Sequence, residues 1–138
     1  MNNIQDALSI FRSAVEAVDP SELIRRHVGW ENGALMIHGT QVPLQPGSRI
    51  IVSGAGKASA IMAQAVEDIL GDHITGGVVV TKHGHFLPLK RITLLEAGHP
   101  VPDEHSLDAT RHILELLNGL KPEDVVIFLL SGGASSLL

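Results

Sequence analysis

Four stretches in the later part of this 138-residue chain are almost wholly aliphatic: Ile50-Ile51-Val52, Val78-Val79-Val80, Ile92-Thr93-Leu94-Leu95 and Val125-Val126-Ile127-Phe128-Leu129-Leu130. A strand wetted on one face alternates apolar with polar residues, whereas unbroken runs belong to strands covered on both faces of a parallel sheet. Helical periodicity separates them. Ile61, Met62, Ala65, Val66, Ile69 and Leu70 line one helix that ends at Gly71. Leu107, Ile113, Leu114 and Leu117 line another, capped by Ser106 or Asp103 and followed by Gly119. The order β-α-β-β-α-β, with right-handed crossovers, predicts an α/β fold: a Rossmann-like three-layer α/β/α arrangement with a mostly parallel sheet. The sheet is expected to be incomplete, because a crossover takes about a dozen residues and Ser135–Leu138 only begins a helix.

Residues 1–48 follow a different pattern and predict a helical and hairpin prelude that packs on the domain begun at residue 49. Ile4, Ala7, Leu8, Phe11, Ala14, Val15 and Val18 recur every three or four positions, so they share a helix face that needs a partner. Asp19-Pro20-Ser21-Glu22 restarts a shorter helix, with Asp19 as cap and Glu22 at the capping-box position. Asn32-Gly33 predicts a tight hairpin turn between Val28–Glu31 and Ala34–His38. Residues 49–138 then form the first part of the α/β domain, and the rest of it, with a second C-terminal domain, is expected to be absent from this chain.

Composition removes several function classes. Ten Lys and Arg against 15 Asp and Glu leave a net charge of −5, which provides no basic face to displace counterions from nucleic acid. Aromatic residues make up only 3%, against base stacking. There is no cysteine, hence no disulfide framework, zinc ribbon or thiol nucleophile. No apolar run approaches the ~20 residues of a membrane span, and the first residues lack the pattern of a signal peptide. A soluble cytoplasmic protein is expected, and its uncovered apolar helix faces predict a homo-oligomer.

In an open parallel sheet, ligands bind beyond the carboxyl ends of the strands. That rule selects Gly54-Ala55-Gly56-Lys57, Thr81–His85, Glu96–Ser106 and Ser131–Ser136. Gly54, Ala55 and Gly56 form neither a phosphate-binding P-loop nor a full dinucleotide fingerprint, and no acidic residue stands at the tip of Val78–Thr81 to hold a ribose. Two glycines still admit an anionic group to the backbone, and Lys57 adds positive charge near a helix N-terminus. The alternative is a plain strand-to-helix turn with a solvated Lys57. Ser131, Gly132, Gly133 and Ser135 offer a second glycine turn with hydroxyls, which otherwise serves as an ordinary cap. His99 is placed to hydrogen-bond a substrate. His83, His85, His99 and His105 lack the spacing of a dedicated metal site, so no metal ligand is assigned. Asp103 and Glu104 read as helix-start residues.

Val52-Ser53-Gly54-Ala55-Gly56-Lys57-Ala58, Thr81-Lys82-His83-Gly84, Glu96-Ala97-Gly98-His99-Pro100-Val101-Pro102-Asp103 and Leu130-Ser131-Gly132-Gly133-Ala134-Ser135 appear in this order. Together they resemble the N-terminal domain of the class II glycerate kinases, the glycerate 2-kinases with a C-terminal MOFRL domain that were formerly labelled hydroxypyruvate reductases. The resemblance implies ATP-dependent phosphorylation of D-glycerate at its 2-hydroxyl, with Mg²⁺, in a cleft between two domains. It implies Lys57 as the catalytic lysine and Ser131–Ser135 as a substrate- or phosphate-binding loop, with Glu96 and Asp103 or absent residues holding the Mg²⁺. The chain alone is expected to be inactive. Two alternatives remain open at this point: a non-catalytic anion- or nucleotide-binding module, and a hydroxypyruvate reductase-type oxidoreductase, which the broken dinucleotide fingerprint disfavours.

Overall fold

The computed structural model describes residues 3–138. Helices α1 (Asn3–Ala17) and α2 (Pro20–His27) lead into a small antiparallel sheet of β1 (Val28–Glu31), β2 (Ala34–Ile37) and β3 (Thr40–Val42). Asp19 caps α2 by accepting from the Ser21 and Glu22 N–H groups. Glu22 does not complete the expected capping box and turns instead toward Arg25, 3.7 Å away. The hairpin at Asn32-Gly33 forms as expected, both residues at positive φ. The third strand was not foreseen: His38 and Gly39, also at positive φ, make a second tight turn that returns Thr40–Val42 along β2. His-Gly is not among the Asn-Gly, Asp-Gly and Gly-Gly pairs that mark such turns most strongly.

From residue 50 the elements are β4 (Ile50–Ala55), α3 (Ser59–Leu70), β5 (Ile74–Lys82), β6 (Ile92–Ala97), α4 (Glu104–Asn118), β7 (Val125–Leu130) and the single turn α5 (Ala134–Leu137). The last four strands form one sheet in the order β6-β5-β4-β7, and every pairing in it is parallel. The chain is thus a mixed α/β fold around a parallel four-stranded sheet. One face buries Ile50, Val52, Val79, Leu94 and Leu129 against α3, with Leu35 of the small sheet joining the same core. The other packs Ala55, Val80 and Ala97 against Ala109 and Ile113 of α4 and Leu137 of α5. That second cover stops short of β7, where Phe128 and Leu130 are exposed. No side chain of α1 is buried, so Ile4, Leu8, Phe11 and Val15 stand in solvent. Among the described residues, no helix is long and apolar enough to cross a membrane.

Two polar devices set the sheet. At its base, the fully buried Asp124 side chain accepts from Arg49 Nε at 3.0 Å and from the Arg49 and Lys121 backbone N–H groups at 3.0 and 2.8 Å. Arg49 Nη2 also donates to the Gly119 carbonyl at 2.7 Å. These bonds tie the start of β4 to the turn before β7. At the carboxyl edge, Ala58 stands at the N-cap of α3 and its own side chain caps nothing. Ser131, just beyond β7, fills that role: its Oγ accepts from the Ala58 N–H at 3.1 Å.

Hydrogen bonds from Arg49 and Lys121 hold the Asp124 carboxyl well below the usual carboxylate range. Unfolded aspartate titrates near ~3.9. Below that value the unfolded chain takes up the proton first, so stability rises with pH across the interval. The pair therefore stabilises fully above about pH 4 and is lost on acidification. Wild type should exceed Asp124→Asn in urea midpoint at pH 7, with the gap closing as pH falls through about 4; an equal gap at pH 3 and pH 7 would contradict the charge account. Ser131→Ala should cost about 1 kcal/mol in urea unfolding, the worth of one hydrogen bond to a helix terminus.

Candidate functional site

Parallel strands leave their helix starts and glycine turns on one edge, and the strand order makes the pair β4–β7 the place where the connections diverge. Three of the four loops singled out in the sequence meet there. The Lys57 N–H donates to the Gly132 carbonyl at 3.0 Å, Gly56 N–H to Val80 O at 3.1 Å, and Ser131 N–H to Ala55 O at 3.2 Å. The turn after β4 is thereby laced to the turn after β7. Gly56, at φ 141°, admits no Cβ because Ser131 Oγ occupies that space. The Lys57 side chain is exposed and lies along the glycine turn: a Cβ on Gly132 would come 3.8 Å from Lys57 Cε, and one on Gly133 3.3 Å from Lys57 Cγ. His99 closes the other side. A Cβ on Gly133 would stand 2.6 Å from His99 Nε2, so the half-buried imidazole rests against bare backbone.

A primary ammonium, an imidazole and an unobstructed glycine backbone are thus gathered within one small surface. That combination suits an anionic oxygen, since the cation and ring offer donors while the exposed Gly132 carries no side chain to obstruct it. The remaining candidates lie apart from it. Gly54 is wholly buried between strands, and the Ala55 side chain is spent in the core beneath α4. Ser135 is exposed on α5, while Ser136 is the hydroxyl that donates back to the Gly133 carbonyl, at 3.0 Å.

The fourth loop joins a second cluster. His83, after β5, places Nε2 2.8 Å from Asp103 Oδ2, and His105 Nδ1 lies 3.4 Å from the same oxygen. Asp103 also caps α4: its Oδ1 accepts from the Ser106 and Gly98 N–H groups at 3.1 and 3.0 Å. The His83 hydrogen bond and these two N–H groups hold its carboxyl well below the usual range. Glu96 is engaged by the His85 N–H at 2.9 Å. Asp103 is the helix-start residue its sequence position predicts, but no sequence signal shows that its second oxygen faces two histidines. His83 and Asp103 are 20 positions apart, and only the pairing of β5 with β6 brings their loops together.

Comparison with known proteins places this arrangement in context. A domain family described as "Domain of unknown function (DUF4147)" matches residues 6–138. The D-glycerate 2-kinase of Thermotoga maritima is 40% identical over 95% of this chain and 28% of its own length. A protein of Agrobacterium vitis carrying a provisional hydroxypyruvate reductase name is 43% identical over 94% of this chain and 26% of its own length. The crystal structure of the PH0495 protein from Pyrococcus horikoshii superposes with a TM-score of 0.86 at 36% identity, over 99% of this chain and 30% of that one. The chain therefore spans between a quarter and a third of the length of the relatives it matches. With the family match running over almost every residue, the chain belongs to the DUF4147 family, the domain found at the N-terminus of the glycerate 2-kinases.

Proposed function

We propose that this chain is the N-terminal part of an ATP-dependent glycerate 2-kinase, converting D-glycerate and ATP to 2-phosphoglycerate and ADP, and that it supplies the anion-binding side of the cleft. The convergence of Lys57, His99 and the Gly132-Gly133 turn carries the reading. Both reactants are anionic, and phosphoryl transfer depends on positioning and charge neutralisation more than on covalent chemistry. ATP supplies the phosphoryl group. Lys57 neutralises charge on the transferring group or the carboxylate, His99 donates to an oxygen, and the glycine turn lets that oxygen approach the backbone. Gly56 and Ser131 act beneath them, holding the two turns in register.

The Mg²⁺ expected for such a kinase finds no ready ligand pair here. Glu96 is held by the His85 N–H, and Asp103 gives one oxygen to helix capping and the other to two imidazoles, donors that Mg²⁺ does not favour. No step is assigned to it in this chain. Lys82, not an acidic residue, ends β5 where a Rossmann-type nicotinamide ribose would be held, which favours the kinase reading over the reductase one.

The test uses the full-length gene product that carries this chain. It should release ADP with D-glycerate and show no NADH-dependent turnover of hydroxypyruvate; the reverse result would replace the kinase reading with the reductase one. Lys57→Met should lower turnover by ~10²–10³, the effect of removing a transition-state charge partner. Its melting temperature should hold, because an exposed substitution costs within about 0.5 kcal/mol. Normal turnover in Lys57→Met at saturating substrate would remove Lys57 from the catalytic machinery.

A further inference from the structure

We infer that His83, Asp103 and His105 form a binding site for a divalent first-row transition-metal ion such as Zn²⁺. One ligand atom from each residue lies within 4.8 Å of the other two. A tetrahedral zinc ion at ~2.1 Å from its ligands sets neighbouring donors about 3.4 Å apart. Asp103 Oδ2 is already 2.8 Å from His83 Nε2 and 3.4 Å from His105 Nδ1, so one ion replaces the protons now shared among them with small side-chain rotations. The two rings meet edge to face, 89° apart with centroids at 5.2 Å.

The carboxylate is prepared for the role. Gly98 and Ser106 N–H groups fix Oδ1, the outer-sphere support that orients metal-binding carboxylates, and leave Oδ2 for an ion. Two imidazoles and one carboxylate are a donor set for zinc, cobalt, nickel or copper, and a poor one for magnesium or calcium. Three protein ligands leave a fourth position open to water. His83 and His105 border a cleft of about 330 Å³ also lined by Glu96 and His112, so that position is reachable from solvent. An ion held there joins the loop after β5 to the start of α4, two segments already linked by the His83–Asp103 hydrogen bond.

Titration of the metal-stripped 138-residue chain with ZnCl₂, followed by calorimetry, tests the site. One Zn²⁺ should bind per chain, and the melting temperature should rise with zinc concentration, as it does for any ligand of the folded state alone. MgCl₂ should do neither. The His83→Gln/His105→Gln double variant should weaken zinc binding by at least ~10–100-fold, the loss typical of disturbing even the outer sphere of a metal site. Its melting temperature without metal should match wild type, since both side chains are exposed. Asp103 is left intact because it also caps α4. The control is His27→Gln/His38→Gln, which removes the other close histidine pair, with Nδ1 atoms 2.8 Å apart, and should leave zinc binding unchanged. Equal zinc affinity in the His83/His105 variant, loss of binding in the His27/His38 variant, or a wild-type response to zinc no greater than to magnesium would overturn the inference.

Discussion

The backbones of β4 and β7 come together at their carboxyl ends only because residue 54 has no side chain. Gly54 sits at φ 147°, a region that favours glycine, and any Cβ there would run into the Leu129 carbonyl. Two residues on, Gly56 repeats the condition against Ser131. With both glycines in place, the chain leaves β4, touches the end of β7 and enters α3 in the space of three residues. The Lys57–Gly132 bond, the Ser131 hydrogen bond to the start of α3 and the placing of Lys57 and His99 beside Gly133 all follow from that contact. The sheet edge proposed as a binding surface is thus also a place where two backbones crowd closely.

The opposite end of the sheet is held by charge. Arg49 and Asp124 stand just before β4 and β7, and their hydrogen bonds align the two strands from Ile50 opposite Val125 to Ala55 opposite Leu130. A buried carboxylate is tolerable because the guanidinium and two backbone N–H groups meet its oxygens together, so little desolvation is left uncompensated. The ion pair at the base and the bare glycines at the edge work on the same two strands. One sets their register, and the other allows the closeness that the register demands.

Much of this was legible beforehand because it is local. Unbroken aliphatic runs announced buried strands, helical spacing announced α3 and α4, and Asp103 or Ser106 announced a cap, which the fold assigns to Asp103. Local pattern failed where geometry depended on partners. His38 gave no turn signal, yet pairing of β3 with β2 holds it at positive φ. Glu22 had the right offset for a capping box but found Arg25 instead. The apolar face of α1 was read correctly as a face, while nothing in its periodicity could show that the folded chain leaves it in solvent.

The same division runs through the functional surfaces. By itself, the sequence determined that the chain would build a parallel α/β sheet and that its small, polar and ionisable residues would fall in the loops after the strands, because strand burial and helix periodicity are written in adjacent positions. It could not determine which loops meet. Whether Lys57 and His99 both lie against the Gly132-Gly133 turn, or whether Asp103 turns its free oxygen to His83 and His105, depends on strand order and on contacts between residues as many as 76 positions apart. Those contacts are settled by how β5, β6 and β7 assemble around β4, and that is a property of the tertiary structure alone.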